Sequence, residues 1–239
     1  MKRRWWFLVC MVALGLMLGG TQGNWESLAG TANLTRQNIQ LPAAVHYPLP
    51  PSLAEIPRKG EDYFDEVQAV EVGYLLWTEF PVTVAIEPPP WDPNHVWQAA
   101  AEQAVKEWSA YLPLKIVDAS LAANIRLLSQ RPTDQNNRRA RFAETSYELF
   151  VDSQGVLRHR CRVVVRPTQA AKFVLAALRH ELGHALGIWG HSPLPTDALY
   201  FAQVADPPPI SQRDVNTLRR VYEQPTRLGQ RLAELTPHG

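Results

Sequence analysis

The chain has 239 residues and a formal net charge of +1, which allows one sizeable core and excludes bulk electrostatic attraction to nucleic acid. Apolar residues reach an ordinary globular share of 46%, while twenty prolines mark stretches that cannot hold regular structure. Cys10 and Cys161 are the only cysteines, so a disulfide scaffold is excluded.

The predicted elements run as follows. Met1-Lys2-Arg3-Arg4 is a basic start, Trp5 to Leu18 is apolar, and Gly19 to Gly23 is small and polar. Residues 1–23 therefore read as a signal peptide or an N-terminal membrane anchor, since the run is short for a span. Cys10 lies mid-run, which argues against a lipoprotein. Residues 24–66 carry Pro42, Pro48, Pro50, Pro51 and Pro57 and no period, so they read as an extended linker or propeptide. The folded unit is expected to start near Val67 and run to 225. Phe80 to Glu87 alternates like a half-buried strand and stops at Pro88-Pro89-Pro90. Asp92-Pro93 predicts a helix start, and Trp97, Ala100, Ala104, Trp108 and Tyr111 predict a helix to about Tyr111.

Short strands are predicted at Leu114–Val117, at Asn124–Leu128 and around Tyr147, Leu149 and Val151. A longer one carries Leu157, His159, Cys161, Val163 and Val165 on one face, with Arg158, Arg160, Arg162 and Arg166 on the solvated face. Asp152 to Gly155 reads as a hairpin turn, and Arg131 to Arg141 as a solvated loop. A helix is expected from Gln169 to Leu186, capped by Thr168 and stopped by Gly187. Residues 188–210 read as irregular. Ser211 to Asp214 resembles a capping box opening a last helix with Val215, Leu218 and Tyr222 on its buried face. Pro225 ends that helix, and residues 226–239 read as a loosely held tail.

His180 and His184 are four residues apart on the predicted helix, about 40° apart around its axis, so both imidazoles can grip one ion. Glu181 lies between them, placed to reach a water beside the ion. H-E-x-x-H arises by chance in about one sequence in a hundred of this composition. Gly187 and His191 extend it to H-E-x-x-H-x-x-G-x-x-H, at about two in a hundred thousand. Gly187 can take a positive φ and swing His191 back to the ion. Three imidazoles leave one tetrahedral position open, as catalytic zinc sites do.

With these residues the chain resembles the metzincin clan of zinc endopeptidases, and its matrixin-like branch most closely, including matrixin-like proteins of bacterial origin. Ser192, Pro195 and Tyr200 follow His191 in the family register, and Leu199 stands where the family's Met-turn carries methionine. The resemblance covers roughly residues 67–225. It implies an α+β zincin fold: a twisted, mostly parallel sheet of four to five strands with an antiparallel edge strand, two long helices, and a small C-terminal subdomain ending in a helix. It implies one catalytic Zn²⁺ held by His180, His184 and His191, Glu181 as general base, and Tyr200 and its neighbours walling the substrate pocket. The family's inhibitory cysteine has no counterpart, and neither does its structural zinc site. His159 reads as a packed histidine; His46, His95 and His238 are isolated. Asp152 alone does not make a calcium site.

The expected activity is zinc-dependent endopeptidase action on protein or peptide, with water activated by the metal and Glu181 as base. The alternatives are a non-catalytic zinc-stabilised binding module at the cell surface and a zinc hydrolase of cell-wall peptides. A sheet edge, at Tyr147–Val151 or Asn124–Leu128, is expected to align substrate as an added strand. The chain is expected to be a monomer, secreted or in the cell envelope, without nucleic-acid partners and touching membrane only through residues 1–23.

Overall fold

Strands form near each place the sequence predicts one, although the first begins at Val82 and the one expected around Tyr147 begins earlier, at Ala143. The structure, a computed structural model, describes residues 41–57, 59–132, 142–167 and 170–232. The targeting segment, most of the arginine-rich loop, the Thr168 cap and His238 lie outside the described residues. Among the described residues no helix is long and apolar enough to cross a membrane.

Five strands, β1 (Val82–Glu87), β2 (Leu114–Val117), β3 (Ile125–Ser129), β4 (Ala143–Val151) and β5 (Leu157–Val165), form one sheet in the order β2-β1-β3-β5-β4. All neighbours are parallel except β4, which runs antiparallel to β5 from Ala143↔Val165 to Val151↔Leu157. Asp152 closes that hairpin: its Oδ1 accepts the Gln154 and Val156 N–H groups, and Oδ2 accepts from Arg158. The inner residues of β3 and β5, including Ile125, Leu127, Val163 and Val165, are fully buried. The arginines of β5 are paired as well as solvated, Arg158 with Glu79 and Asp152, Arg160 with Glu148. Because β3 lies between β1 and β5, the Asn124–Leu128 segment offers no sheet edge; β4 and β2 are the edges.

The two long helices are α2 (Val96–Trp108) and α3 (Ala171–Ala185). They pack on each other, α2 over β1 and β2, α3 over β4 and β5. Helix α2 begins later than predicted. Pro93–His95 forms a separate 3-10 turn with Asn94 and His95 at φ 58° and 53°. Asp92 still caps the helix from a distance, its two carboxylate oxygens accepting the N–H groups of Trp97 and Gln98. The helix ends at Trp108, and Tyr111 belongs to the turn that follows. Helix α3 likewise starts at Ala171, two residues after the expected Gln169, with no side-chain cap from Ala170. Its orphan C-terminal carbonyls are satisfied from outside: Trp77 Nε1 donates to Ala185 O at 2.9 Å and Tyr222 Oη to Leu186 O at 3.0 Å. Helix α4 (Gln212–Tyr222) opens with the capping box read from Ser211 and Asp214.

Packing begins before Val67 and continues past Pro225. A short helix, α1 (Pro51–Ala54), sets Leu53 in the core at 0% exposure, and Tyr63 is also buried. Pro50 and Pro51 thus start a helical turn instead of breaking all structure, as proline can at a first turn. Val45 and Thr226 exchange two backbone hydrogen bonds of 2.9 Å. Thr226 and Leu228 are buried, so the tail is held as far as residue 232.

Candidate metal centre

The last turns of α3 put His180 and His184 on its buried side, and the chain then reverses at Gly187, whose φ is +132°. A Cβ at Gly187 would lie 3.0 Å from the Leu75 carbonyl oxygen, so conformation and space both call for glycine. The reversal returns His191 to the helix. The three imidazole centroids are 4.8, 5.2 and 4.8 Å apart, and one ligand atom from each ring lies within 4.8 Å of the others. Among the described residues this is the one group of three or more His, Cys, Asp or Glu side chains placed to hold an ion.

Hydrogen bonds fix which nitrogens face inward. His180 Nδ1 is 2.9 Å from Ala198 O, and His184 Nδ1 is 2.6 Å from Ile188 O. Carbonyl oxygens only accept, so each Nδ1 carries the proton and each neutral ring leaves Nε2 bare. The two Nε2 atoms are 3.1 Å apart. Two bare Nε2 atoms cannot hydrogen-bond each other, and a cation between them would satisfy both lone pairs. Two nitrogens each about 2.1 Å from one zinc ion at a near-tetrahedral angle lie about 3.2–3.4 Å apart, so the donor set fits such an ion. Burial, then the neighbouring His180 and His191, push His184 well below the usual histidine range. Burial and His180 push His191 down to about 4. Both shifts keep these rings neutral near pH 7, the form that can hold an ion.

Glu181 is 9% exposed on the turn between the two helical ligands. Thr145 of β4 donates its hydroxyl to Glu181 Oε2 at 2.6 Å. Nothing in the sequence marked this threonine.

Leu199 packs beneath the helix that carries His180 and His184. It is fully buried, and a Cβ added to Gly183 would meet its Cδ2 at 2.6 Å, so the turn carrying Leu199 presses on α3 at the residue before His184. The turn is closed by Ser192 N–H to Leu199 O at 2.8 Å and Tyr200 N–H to Asp197 O at 3.1 Å. The Tyr200 ring packs tilted at 50° against Phe201, centroids 4.5 Å apart, and among the described residues no ring or hydrogen-bond contact joins it to the three histidines.

Asp214 holds that turn from α4. Its carboxylate is fully buried and accepts from Ala198 N (2.9 Å), Leu199 N (3.3 Å), Ser211 N (2.7 Å) and Tyr63 Oη (2.5 Å). Burial, then the Asp214 carboxylate, hold the Tyr63 phenol protonated far above its usual range. Beside it, Asp197 accepts from Ser192 Oγ and from Arg213 Nε, and Arg213 also pairs with Glu61. The segment around Glu66 touches the third-ligand loop directly. Gln68 N–H donates to Trp189 O at 3.0 Å, and a Cβ on Gly190 would overlap Glu66 O and reach within 3.0 Å of Val67 Cα. The capping box was legible in the sequence; that its Asp214 also holds the turn carrying Leu199 was not.

His159 stands apart from these three. It is buried, its ring stacked 3.8 Å from Trp77 with Nε2 unpartnered, and burial depresses it to about 3. Cys161 is a buried thiol that burial pushes up, which makes it inert. No protein-family model matches the chain, and no curated protein matches its sequence.

Proposed function

We propose that the chain is a zinc-dependent endopeptidase of the metzincin type, closest to the matrixin-like branch. The observation that carries this reading is the pair of Nε2 atoms 3.1 Å apart, each bared because its Nδ1 is committed to a carbonyl, with His191 beside them and Glu181 on the turn between them. Neutral imidazoles suit zinc, and three of them leave a position for water or substrate. Bound there, the ion would supply Lewis acidity, bringing water toward a pKa of about 7 and polarising a peptide carbonyl.

The chain's own residues divide the remaining work. His180, His184 and His191 hold the ion. Ala198 O and Ile188 O orient the first two rings and raise their basicity. Glu181 accepts a proton from the attacking water and returns it to the leaving amine. The free edge of β4, beside Glu181, is where an extended substrate adds as a strand. The targeting segment in the sequence supports export to the cell envelope or beyond.

The test is cleavage of casein by the purified chain with and without chelator, beside isolated cell-wall peptides. Chelator-sensitive cleavage of casein is expected, with kcat falling about 10²–10⁴-fold in Glu181→Ala while zinc content is kept. Undiminished cleavage by Glu181→Ala removes the base assignment. Zinc binding without cleavage of either substrate favours the binding module, and cleavage of wall peptides alone favours the wall hydrolase.

A further inference from the structure

Thr145 sits at a junction that the metal ligands do not explain. Its hydroxyl has one proton, and the 2.6 Å contact to Glu181 Oε2 is the length of a charge-assisted O–H···O⁻ bond; Glu181 O lies farther off at 3.0 Å. The threonine itself cannot drift. Its χ1 is restricted by β-branching, and its backbone is locked opposite Val163 of β5. Glu181 has several rotatable bonds, so a fixed hydroxyl at its Oε2 narrows the positions its carboxylate takes.

The backbone of β4 adds a second fact. Phe142 O accepts from Arg166 N and Asp152 N donates to Val156 O, one at each end of the β4–β5 ladder. Both pairs involve even-numbered residues of this hairpin, and the register between them is unbroken. In an antiparallel ladder the hydrogen-bonded positions alternate. The even residues 144, 146, 148 and 150 therefore point their N–H and C=O groups at β5, and Thr145 and Tyr147 point theirs at the free edge. The side chains of these same two residues reach the centre: Thr145 touches Glu181, and Tyr147 packs edge-on against Trp189, whose ring lies 6.1 Å from that of His184.

We propose that Thr145 is a positioning residue for Glu181: its hydroxyl sets the carboxylate while its own backbone N–H and C=O lie on the edge that receives the substrate strand. A strand paired at Thr145 is thereby held in register with the base. This rests on the hydrolytic reading above and adds to it a residue that carries neither the ion nor the proton.

The experiment compares Thr145→Val, which keeps the strand-forming shape and removes the hydroxyl, with Thr145→Ser, which restores it. On a casein-derived peptide cleaved by the parent, the valine variant is expected to lose about ten- to a hundredfold in kcat, with KM and zinc affinity within about twofold. The serine variant is expected to recover most of that loss, and Thr145→Val added to Glu181→Gln is expected to cost nothing further. Crystal structures of the two variants give a readout free of turnover. Glu181 is expected to spread over more than one rotamer with valine and to hold one with serine. Equal kcat in parent and valine variant, equal loss in the valine and serine variants, or an unmoved Glu181 in the valine variant overturns the proposal. A parent that cleaves nothing removes the proposed function, and the rotamer comparison then decides the Thr145 contact by itself.

Discussion

His180 and His184 owe their spacing to one turn of α3, whereas His191 owes its place to contacts arriving from distant parts of the chain. The helical pair would stand four residues apart in any helix that formed. The loop from Ile188 to Tyr200 has no such internal rule. It is held by Gly187 at its start, by Glu66 and Val67 against Gly190, and by Asp214 of α4 beneath Ala198 and Leu199. The two halves meet where Leu199 presses on Gly183 and where Ala198 O accepts the hydrogen bond of His180 Nδ1. A three-histidine cluster can thus combine one half set by local geometry with another that exists only when the whole domain is folded.

The strongest way to break that contrast is to remove the support of the loop half and leave every ligand in place. Asp214→Ala deletes a buried acceptor of three backbone N–H groups and the Tyr63 hydroxyl. Orphaning buried donors to a charged group is expected to cost about 3–5 kcal/mol of unfolding free energy. Zinc affinity is expected to fall about 10–100-fold, the range for partners one step removed from a ligand. Urea unfolding and chelator competition measure the two effects. An unchanged zinc affinity in a folded Asp214→Ala protein would show that the loop positions His191 without this anchor.

A middle-sized effect separates the histidines of the centre from His159, which is buried on β5 against Trp77 and outside their cluster. Its folded pKa of about 3 lies below the ordinary 6.5, so between those values the unfolded chain binds the extra proton. Its contribution to stability is therefore complete above about pH 6.5 and is lost as the pH falls toward 3. Between pH 7 and 4.5 the loss from this one group is about 2–3 kcal/mol. His159→Phe keeps a ring for Trp77 to stack on and removes the proton site, so it is expected to flatten the acid limb of denaturant midpoints. The flattening should be the same with and without zinc, whereas acid release of zinc should remain in both proteins. If the two acid limbs coincide, the buried ring is not what makes the fold acid-sensitive.

What the sequence made legible follows the same division. The i, i+4 pair, the helix-ending glycine, the alternating strand at Leu157–Val165 and the Ser211 capping box are short-range patterns, and each appears where its residues place it. The roles of Thr145, Tyr63 and Asp214 depend on partners 36, 151 and 16 residues away, and no local period encodes such pairings. Leu53 shows the same limit from the other side. A proline-rich segment without helical or strand period still buries a leucine completely, because burial needs a complementary surface and not a repeat. Asp92 was read correctly as a cap and misplaced by register, since the chain inserts a 3-10 turn before the helix it caps.

The smallest expected effect lies at the seam between the halves. Leu199→Met introduces the residue found at this position in the metzincin pattern that the sequence resembles, and changes shape more than volume. Leucine and methionine exchange in cores usually costs less than about 1.5 kcal/mol, because methionine's flexible stem fits an existing gap. The Leu199 site is fully enclosed and already tight against Gly183, so the methionine must follow the path of the leucine branches. Unfolding free energy is expected to fall within that limit and zinc affinity to change by less than about threefold. The reason is that Ala198 O and the Asp214 bonds, which orient His180 and hold the turn, run through the backbone and are indifferent to the side chain at 199. A tenfold or larger gain in zinc affinity or kcat from the methionine would contradict this, and would place the control of the centre in the side chain at 199 instead of in the backbone that carries it.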